Sequence, residues 1–388
     1  MTAEFVITRI ARSAAEIGAA AWNACADPDG SADRHPFTRF EFFAALESSR
    51  SASPETGWNP CHLVLETGGS IKAILPLYLK NHSLGEYVFD QGWAEALERA
   101  GGHYYPKLQA SVPFTPVTGP RLLVAGATQR TQVQKALLLA GVDAANRLKA
   151  SSLHVTFMTE AESSAAAACG FLLRTDQQFH WENEAYSSFE DFLGRLSSSR
   201  RKNLRKERAA VREEGIAFEW LVGNEIREAH WDAFFRFYMT TGSRKWGRPY
   251  LTREFFSRIG AEMGESVILI LAHRGGHPIA GALNFIGERV LFGRNWGAGE
   301  FVPFLHFETC YYQAIEFAIA NRLRKVEAGA QGPHKLLRGY RPVATHSAHY
   351  IAHDGLRSAV ARYLSHEREL VASEIAEAAQ VAPFRKEE

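Results

Sequence analysis

Cysteine is scarce in this sequence, and the few cysteines are scattered. There are 4 in 388 residues: Cys25, Cys61, Cys169 and Cys310. No two of them form a C-x-x-C pair, so their spacing argues against a zinc ribbon and against a disulfide-stapled fold. We therefore predict reduced thiols in or near a hydrophobic core.

Long hydrophobic runs and an excess of charge are also missing. The chain contains no run of about 18 apolar residues, which predicts that no segment spans a membrane. Its first residues, MTAEFVITRIARSAAEIG, lack the apolar segment of a secretory signal. The net charge is +1, so no overall field attracts nucleic acid or an acidic membrane surface. These absences predict a cytoplasmic protein.

The sequence has enough apolar residues for a large core, and it also contains an internal repeat. The apolar fraction is 46%, and a length of 388 residues suggests two domains. The order strand, loop, long helix, strand, short helix, Gly-aromatic pair and strand occurs twice. Gly170-Phe171 in the first copy corresponds to Gly339-Tyr340 in the second. We interpret this as a duplication that produced two domains of one fold.

The second copy, from Leu291 to Pro342, holds most of the candidate functional residues. We predict a strand ending near Asn295, a turn at Gly297-Ala298-Gly299, and a helix from about Phe304 to Asn321. Glycines beside a helix N-terminus leave backbone N–H groups free to bind an anion. The polar residues of this stretch are Arg294, Asn295, Trp296, Glu300, His306 and Glu308. The same spacing is equally compatible with a buried strand–helix–strand unit in which the glycines only form turns and bind no anion.

Five stretches resemble the FemAB-like group of predicted N-acyltransferases. They are YPKLQ at 105–109, VPFTPVTGPR at 112–121, HWEN at 180–183, RRKNLRKER at 200–208 and GAQGPHK at 329–335. The resemblance covers nearly the whole chain. It implies an α/β (α+β) fold with two tandem GNAT-like domains, whose mixed central sheets are flanked by helices, plus a C-terminal helix. The implied domains are 1–176, 177–354 with a basic helix at 187–214, and 355–388 as the final helix.

The same resemblance implies an acyltransferase. Related Fem proteins transfer amino acids to amines of peptidoglycan precursors, so the implied reaction moves an acyl group from an activated donor to an amine acceptor. Acyl-CoA and aminoacyl-tRNA both stay open as donors. The coiled-coil arm that Fem proteins use for tRNA has no equivalent here, and the GNAT phosphate loop [Q/R]-x-x-G-x-[G/A] is absent from both copies. We predict no metal site, because His346, His349 and His353 have no acidic or Cys partner nearby.

Acylation of an amine needs a polarised donor carbonyl and a group that accepts the proton of the amine. The candidate proton acceptors are Glu300, His306, Glu308 and Glu327. His306 has the most suitable ordinary pKa, while the glutamates would need burial to raise theirs. Each of the four could equally be a helix cap or a satisfied polar contact.

An anionic substrate would need basic partners, and the basic run offers them. A helical wheel puts Arg201, Arg205, Arg208 and Arg212 on one face, although a solvated face is the common fate of such a run. We expect Lys335 and Arg201 to be exposed or to face a cleft between the domains. The predicted binding residues are Arg200, Arg201, Lys202, Asn203, Arg205, Lys245, Arg248, Arg294, Asn295, Trp296, Gln331, His334, Lys335, Arg338, His180, Trp181, Gln109 and Arg121.

Two other interpretations compete with the transferase. The basic helix and nearby aromatic residues could form a tRNA-binding module without catalysis, whose affinity would fall steeply with salt. The long C-terminal helix from Leu356 to Ala379 could make the protein a homodimer, and in the plainest interpretation the protein is a scaffold that dimerises through it.

Overall fold

A computed structural model describes residues 6–28, 35–126, 128–246, 249–329, 332–380 and 383–385. The chain forms two compact units. The first unit contains Met1–Asp176 and Ala344–Ser373, and the second contains Gln177–Val343 and Glu374–Glu388. These units differ from the predicted domains after residue 343, because residues 344–373 pack with the first unit.

The secondary structure alternates between strands and helices along most of the chain. The strands are β1 (Val6–Ala11), β2 (Trp58–Pro60), β3 (His62–Thr67), β4 (Ser70–Leu75), β5 (Tyr78–Lys80), β6 (Lys107–Ala110), β7 (Leu123–Val124), β8 (Ser152–Met158), β9 (Leu172–Glu182), β10 (Ile216–Val222), β11 (Val267–Arg274), β12 (His277–Ile286), β13 (Val290–Ala298), β14 (Lys325–Glu327) and β15 (Arg341–Ile351). The helices are α1 (Ala14–Ile17), α2 (Ala19–Ala26), α3 (Phe40–Ser48), α4 (Gln91–Arg99), α5 (Arg130–Arg147), α6 (Glu160–Ala168), α7 (Phe189–Arg195), α8 (Ser198–Glu213), α9 (Glu228–Trp246), α10 (Arg253–Glu262), α11 (Leu305–Phe307), α12 (Gln313–Ala320) and α13 (Asp354–Gln380).

The first unit has strands in two sets. β1, β3, β4 and β7 form an antiparallel sheet, and β15, β8, β6, β5 and β2 are hydrogen-bonded neighbours in that order. Within the second set, β6 and β8 are parallel, with Leu108 opposite Leu153 and Ala110 opposite Val155. A parallel pair needs a crossover between its strands, and α5 provides it. Apolar side chains of α5 and both sheet sets, such as Leu137, form one buried cluster.

The second unit contains one sheet with the strand order β10, β11, β12, β13, β14 and β9. Each neighbouring pair is antiparallel except β13 and β14, which run parallel. The crossover between them is the helical segment made of α11, a π-helical turn at Glu308–Tyr312, and α12. Residues 267–272 of β11 are fully buried, which agrees with their unbroken run of apolar side chains.

Both units therefore contain a parallel strand pair joined by a long helix, β6–α5–β8 in the first and β13–α11–α12–β14 in the second. In the first unit, the strand directly before the helix is β7, which pairs with β4 and not with β8. The repeated order found in the sequence therefore corresponds to a repeated strand–helix–strand crossover, with one additional strand in the first unit.

The predicted turn at Gly297-Ala298-Gly299 is wrong, because β13 continues to Ala298 and the helix begins seven residues later at Leu305. Gly297 has a different role, because it allows α9 to approach β13 closely. A Cβ added there would lie 2.3 Å from the backbone carbonyl carbon of Phe237 in α9. Only glycine lets α9 pack this closely on β13. The predicted anion site at glycines beside a helix N-terminus is therefore not formed.

Candidate functional site

The candidate site lies where two parallel strands of the second unit separate. β13 and β14 pair only from Val290 opposite Lys325 to Phe292 opposite Glu327. β14 ends at Glu327, whereas β13 continues for six more residues to Ala298. Beyond the paired segment the backbone of β13 is not bonded to β14, so a ligand can reach polar groups there.

A bulge in β13 redirects the side chains at this opening. Leu283 of β12 is opposite Asn295, but Asn284 is opposite Gly293, so Arg294 is the extra residue. Bulges often re-aim a side chain beside a functional site. The opening contains a pocket of about 90 Å³, whose lining includes Asn284, Gly293, Arg294, Asn295, Trp296, His306, Cys310, Tyr311 and Ala328. We call it the splay pocket.

The helical segment that covers the splay pocket contains the π-helical turn Glu308–Tyr312. A π-helical turn inserts one residue into a helix, is costly, and is frequent at functional sites. Here it divides neighbouring residues between two sides of the helix. Cys310 and Tyr311 line the splay pocket, whereas Glu308 lines a different pocket.

Arg208 of α8 holds this turn from outside the splay pocket. Its guanidinium contacts both oxygens of Glu308, with Nη2 at 2.7 Å from Oε1, and also binds Glu316 at 2.8 and 2.9 Å. Gln313 donates a further hydrogen bond to Glu308 at 2.8 Å. Arg208 and Glu308 are both buried, so this is a desolvated ion pair with most of its hydrogen bonds satisfied. Glu308, a predicted proton acceptor, is occupied by this ion pair.

The preceding residue of α8, Glu207, fixes the other end of the turn. Glu207 accepts hydrogen bonds from the Tyr312 hydroxyl and from Arg338, the latter at 2.8 and 2.9 Å. The Arg338 guanidinium also lies 3.4 Å from the ring centre of Phe307, a cation–π distance. Arg338, a predicted binding residue, is therefore engaged inside the fold.

Tyr311 and His334 form a polar pair beside the splay pocket. The Tyr311 hydroxyl lies 3.0 Å from Nε2 of His334, and either atom can donate depending on the tautomer. Burial raises the pKa of Tyr311, so its phenol stays protonated near neutral pH. The His306 ring packs at 5.3 Å from the Trp296 ring and 5.4 Å from the Tyr311 ring.

A buried charge cluster surrounds Glu327 at the end of β14. Lys325 Nζ lies 2.9 Å from its carboxylate, Arg294 Nη2 lies 3.5 Å away, and His180 Nε2 lies 3.9 Å away. Burial by itself would raise the pKa of Glu327, but His180, Lys325 and Arg294 together lower it to about 2. Burial also lowers the pKa of His180 to about 4. Glu327 is thus an ionised, charge-balanced carboxylate.

Lys335 is buried, contrary to the expectation that it is exposed. It is 2% exposed, and its Nζ donates to the carbonyl oxygen of Gly329 at 2.9 Å. Burial, together with the smaller effect of the positive charge of Arg294, lowers its pKa to about 7, while Cys310 acts in the opposite direction. Lys335 therefore titrates near neutral pH, in electrostatic contact with two residues of the splay pocket.

Other predicted residues lie away from the splay pocket. Glu300 is partly exposed and pairs with Arg274 at 2.7 Å. Trp181 is fully buried in the apolar core of the second unit. Gln331 and Arg248 lie outside the described residues, and so does the side chain of Lys245.

The basic run belongs to α8, whose helical repeat keeps Arg201, Arg205, Arg208 and Arg212 on one face, but these arginines differ in burial. Arg208 points into the fold, whereas Arg205 is exposed and pairs with Glu190 at 2.6 Å. The four arginines of the predicted basic face are therefore not equivalent, because Arg208 is engaged inside the fold. The helix keeps a solvent-facing basic side, where the residues are half-buried or exposed: Arg200, Arg201, Lys202, Asn203 and Lys206.

In the first unit, Gln109 and Arg121 contact the protein itself. Arg121 Nε donates to the Thr156 carbonyl at 2.9 Å, and its other nitrogens donate to carbonyls of Val117, Gly119 and Pro120. Gln109 donates to the Thr156 hydroxyl at 3.1 Å. These contacts lie at the end of the β6–β8 pairing, the place that corresponds to the splay pocket.

Within the described ranges, no group of three or more His, Cys, Asp or Glu side chains is placed to hold a metal ion. His349 instead bonds His154, at 2.7 Å between their Nδ1 atoms. No helix in the described part of the chain has the length and apolar content needed to cross a membrane.

Solved structures similar to this chain include FemX, with a TM-score of 0.54 at 10% identity, covering 88% of this chain and 98% of FemX. The C-terminal domain of an Agrobacterium fabrum protein named as a lysylphosphatidylglycerol synthetase has a TM-score of 0.52 at 11% identity, with coverages of 91% and 97%. A tandem GNAT protein from clavulanic acid biosynthesis has a TM-score of 0.49 at 12% identity, with coverages of 90% and 99%. At such low identity the likeness concerns the fold alone, and the match to FemX over most of both chains confirms the predicted α/β fold.

The sequence itself matches one family profile. A search of curated proteins found no significant match. The profile of the FemAB-like family, described as peptidoglycan biosynthesis/recognition, matches residues 13–386. Since that profile spans nearly the whole sequence, the chain belongs to the FemAB-like family.

Proposed function

We propose that this protein transfers an acyl or aminoacyl group from an activated donor to an amine of a peptidoglycan-related precursor. The observation that supports the proposal most directly is the splay pocket, where β13 leaves β14 and an arginine, a histidine and a tyrosine line the opening. Membership of the FemAB-like family supports the class of acceptor. Acyl-CoA and aminoacyl-tRNA are the two donor classes to test.

In the proposed reaction the amine nitrogen attacks the donor carbonyl carbon. The new C–N bond forms, the bond to the leaving group breaks, and the amine loses a proton. His306 is the best-placed proton acceptor, because its ring lines the splay pocket. The cations Arg294 and Lys335 would stabilise negative charge that develops on the carbonyl oxygen.

The three carboxylate candidates fit the role of base less well. Glu308 is held by Arg208, and Glu327 has a pKa of about 2 and a balanced charge. A carboxylate with so low a pKa is a weak proton acceptor near neutral pH. Glu300 pairs with Arg274 and is not part of the splay pocket.

The test is a transfer assay with purified protein. Acetyl-CoA and a set of charged tRNAs serve as donors, a lysine-containing peptidoglycan pentapeptide precursor serves as acceptor, and mass spectrometry detects the acylated product. We expect His306→Gln to lower kcat at least about 100-fold, the usual scale of general-base catalysis. Glu300→Gln, a polar change away from the pocket, is the matched control and should keep full activity. Absence of product with every donor would exclude the proposed reaction.

A second candidate function is binding of tRNA through α8. Arg200, Arg201, Lys202 and Lys206 have no ion-pair partner among the described residues. Such a surface can contact phosphates, and its affinity would then fall steeply as salt increases. Filter binding of tRNA from low to physiological salt measures this, and an affinity that does not change with salt would contradict it.

A further inference from the structure

A second pocket in the second unit shares no lining residue with the splay pocket. It has a volume of about 500 Å³ and lies between α8, the edge strand β10, and the segment from the π-helical turn to α12. Ligand pockets commonly have volumes of roughly 300–1,000 Å³. We define the edge groove by six of its lining residues: Arg208, Arg212, Phe218, Trp220, Gln313 and Glu316.

One wall of the edge groove is apolar and held in place. Phe218 and Trp220 alternate along β10, so their side chains lie on the same face of the strand. Both are half-buried. The Trp220 indole donates to Gln313 at 2.8 Å and packs edge-on against Phe317 at 5.4 Å between ring centres. A fixed aromatic surface that stays accessible can pack against an apolar group of a ligand.

The opposite wall carries a buried ion-pair triad and, apart from it, the cation Arg212, which is unpaired among the described residues. Arg208 sits between two carboxylates, Glu308 and Glu316, so this triad has one excess negative charge. The Glu308 side chain is 4% exposed but that of Glu316 is 29% exposed, which puts the accessible negative charge on Glu316. Arg212 is exposed, and its side chain forms no ion pair or hydrogen bond within the described ranges.

Opposite charges that line one pocket without touching leave room for a molecule that bridges them. We propose that the edge groove binds a zwitterionic molecule with an apolar body, of the size of an amino acid or dipeptide. Its carboxylate contacts Arg212, its ammonium group contacts Glu316, and its apolar part packs on Phe218 and Trp220. This site does not depend on the proposed transfer reaction, because it lies apart from the splay pocket.

The test uses isothermal titration calorimetry with the whole protein and three probes. Glycyl-phenylalanine carries both charges, N-acetyl-glycyl-phenylalanine lacks the ammonium group, and glycyl-phenylalaninamide lacks the carboxylate. We expect the uncapped dipeptide to bind about ten-fold more tightly than either capped form, since each cap removes one charged hydrogen bond.

Two variants then assign each end of the probe. Arg212→Gln should weaken the uncapped dipeptide about ten-fold and leave the amide unchanged, because the amide has no carboxylate to lose. Glu316→Gln should weaken the amide and leave the N-acetyl form unchanged. Lys206→Gln is the matched control, because Lys206 is an exposed cation of the same helix that does not line the groove.

Several results would overturn the proposal. One is the absence of saturable binding of the uncapped dipeptide up to about 10 mM, which is weaker than the affinity of a specific small-molecule site. Another is an Arg212→Gln effect that is equal for the dipeptide and its amide. Glu316→Gln also alters the contacts of Arg208, so this variant could fail to fold. In that case the comparison of the dipeptide and its amide in Arg212→Gln decides the proposal alone.

Discussion

The Arg208→Met substitution tests whether the basic helix is a structural element or a ligand-binding surface. In the folded protein, Arg208 makes five hydrogen bonds to Glu308 and Glu316. Methionine keeps the unbranched apolar stem and removes the charge. Glu308 is 3% exposed, so its carboxylate would remain buried with the Gln313 amide as its hydrogen-bond donor.

The expected cost follows from this burial. Removing one partner of a buried ion pair destabilises a protein by about 3–5 kcal/mol. Glu316 adds little to this figure, because its side chain is 29% exposed and water can replace the lost contact. Replacing both partners, in Arg208→Met/Glu308→Met, should recover most of the loss, since apolar residues of similar volume often substitute for a buried ion pair at little cost.

Guanidinium denaturation followed by circular dichroism measures the free energy of unfolding. The matched control is Arg205→Met, three residues earlier in α8, which breaks the exposed pair with Glu190 and should cost less than about 1 kcal/mol. If Arg208→Met is as mild as the control, or if the double substitution restores no stability, Arg208 does not hold the π-helical turn as argued.

Three further predictions concern the same unit. Gly297→Ala should destabilise the protein by more than about 2 kcal/mol in denaturant titrations, because the new Cβ would lie 2.3 Å from a backbone atom of Phe237. The control is Gly194→Ala, whose new Cβ would have no atom within 4 Å, and which should be neutral or stabilising. The pKa of Glu327, lowered to about 2, adds stability that is present above the ordinary pKa of a glutamate and is lost as pH falls towards 2. In acid denaturation, the difference in the free energy of unfolding between the wild type and Glu327→Gln should therefore shrink as the pH approaches 2. Because the pKa of Lys335 is lowered to about 7, the free energy of unfolding should rise as the pH increases above that value. Between about pH 6 and pH 9, this rise should be about 2–3 kcal/mol smaller in Lys335→Met than in the wild type. Parallel pH profiles of the two proteins would contradict the burial of the Lys335 charge.

The sequence predicted the architecture because periodicity and turn residues record which segments pair and pack. Residues 267–272 of β11 form an unbroken and fully buried apolar run, and the long helices before β8 and β14 have the length that a parallel crossover requires. The repeated order of elements then identified the two copies. Local pattern is enough for these features because each depends mainly on neighbouring residues.

The site was predicted only in part, because its geometry depends on residues far apart in the sequence. Arg208 and Glu308 are separated by 100 positions, so the charge run at 200–208 looked uncompensated. A π-helical turn differs from an α-helix by one hydrogen-bond step and has no distinct periodicity, which is why Cys310 and Tyr311 were not placed in the pocket. The doublet Tyr311-Tyr312 in the middle of a helix was the available signal, since two adjacent large polar aromatics cannot share one face.

The two copies differ at the point where their parallel strands stop pairing. In the first unit, the Arg121 guanidinium bonds the carbonyl of Thr156, directly after the last paired residue of β8, and carbonyls of its own loop. The protein thus supplies the partners that a bound ligand would otherwise supply. In the second unit, a bulge at Arg294 and a pocket of about 90 Å³ take the corresponding place. Since the proposed reaction requires access of a donor carbonyl to the strand opening, we expect the second unit to hold that reaction and the first to support the fold.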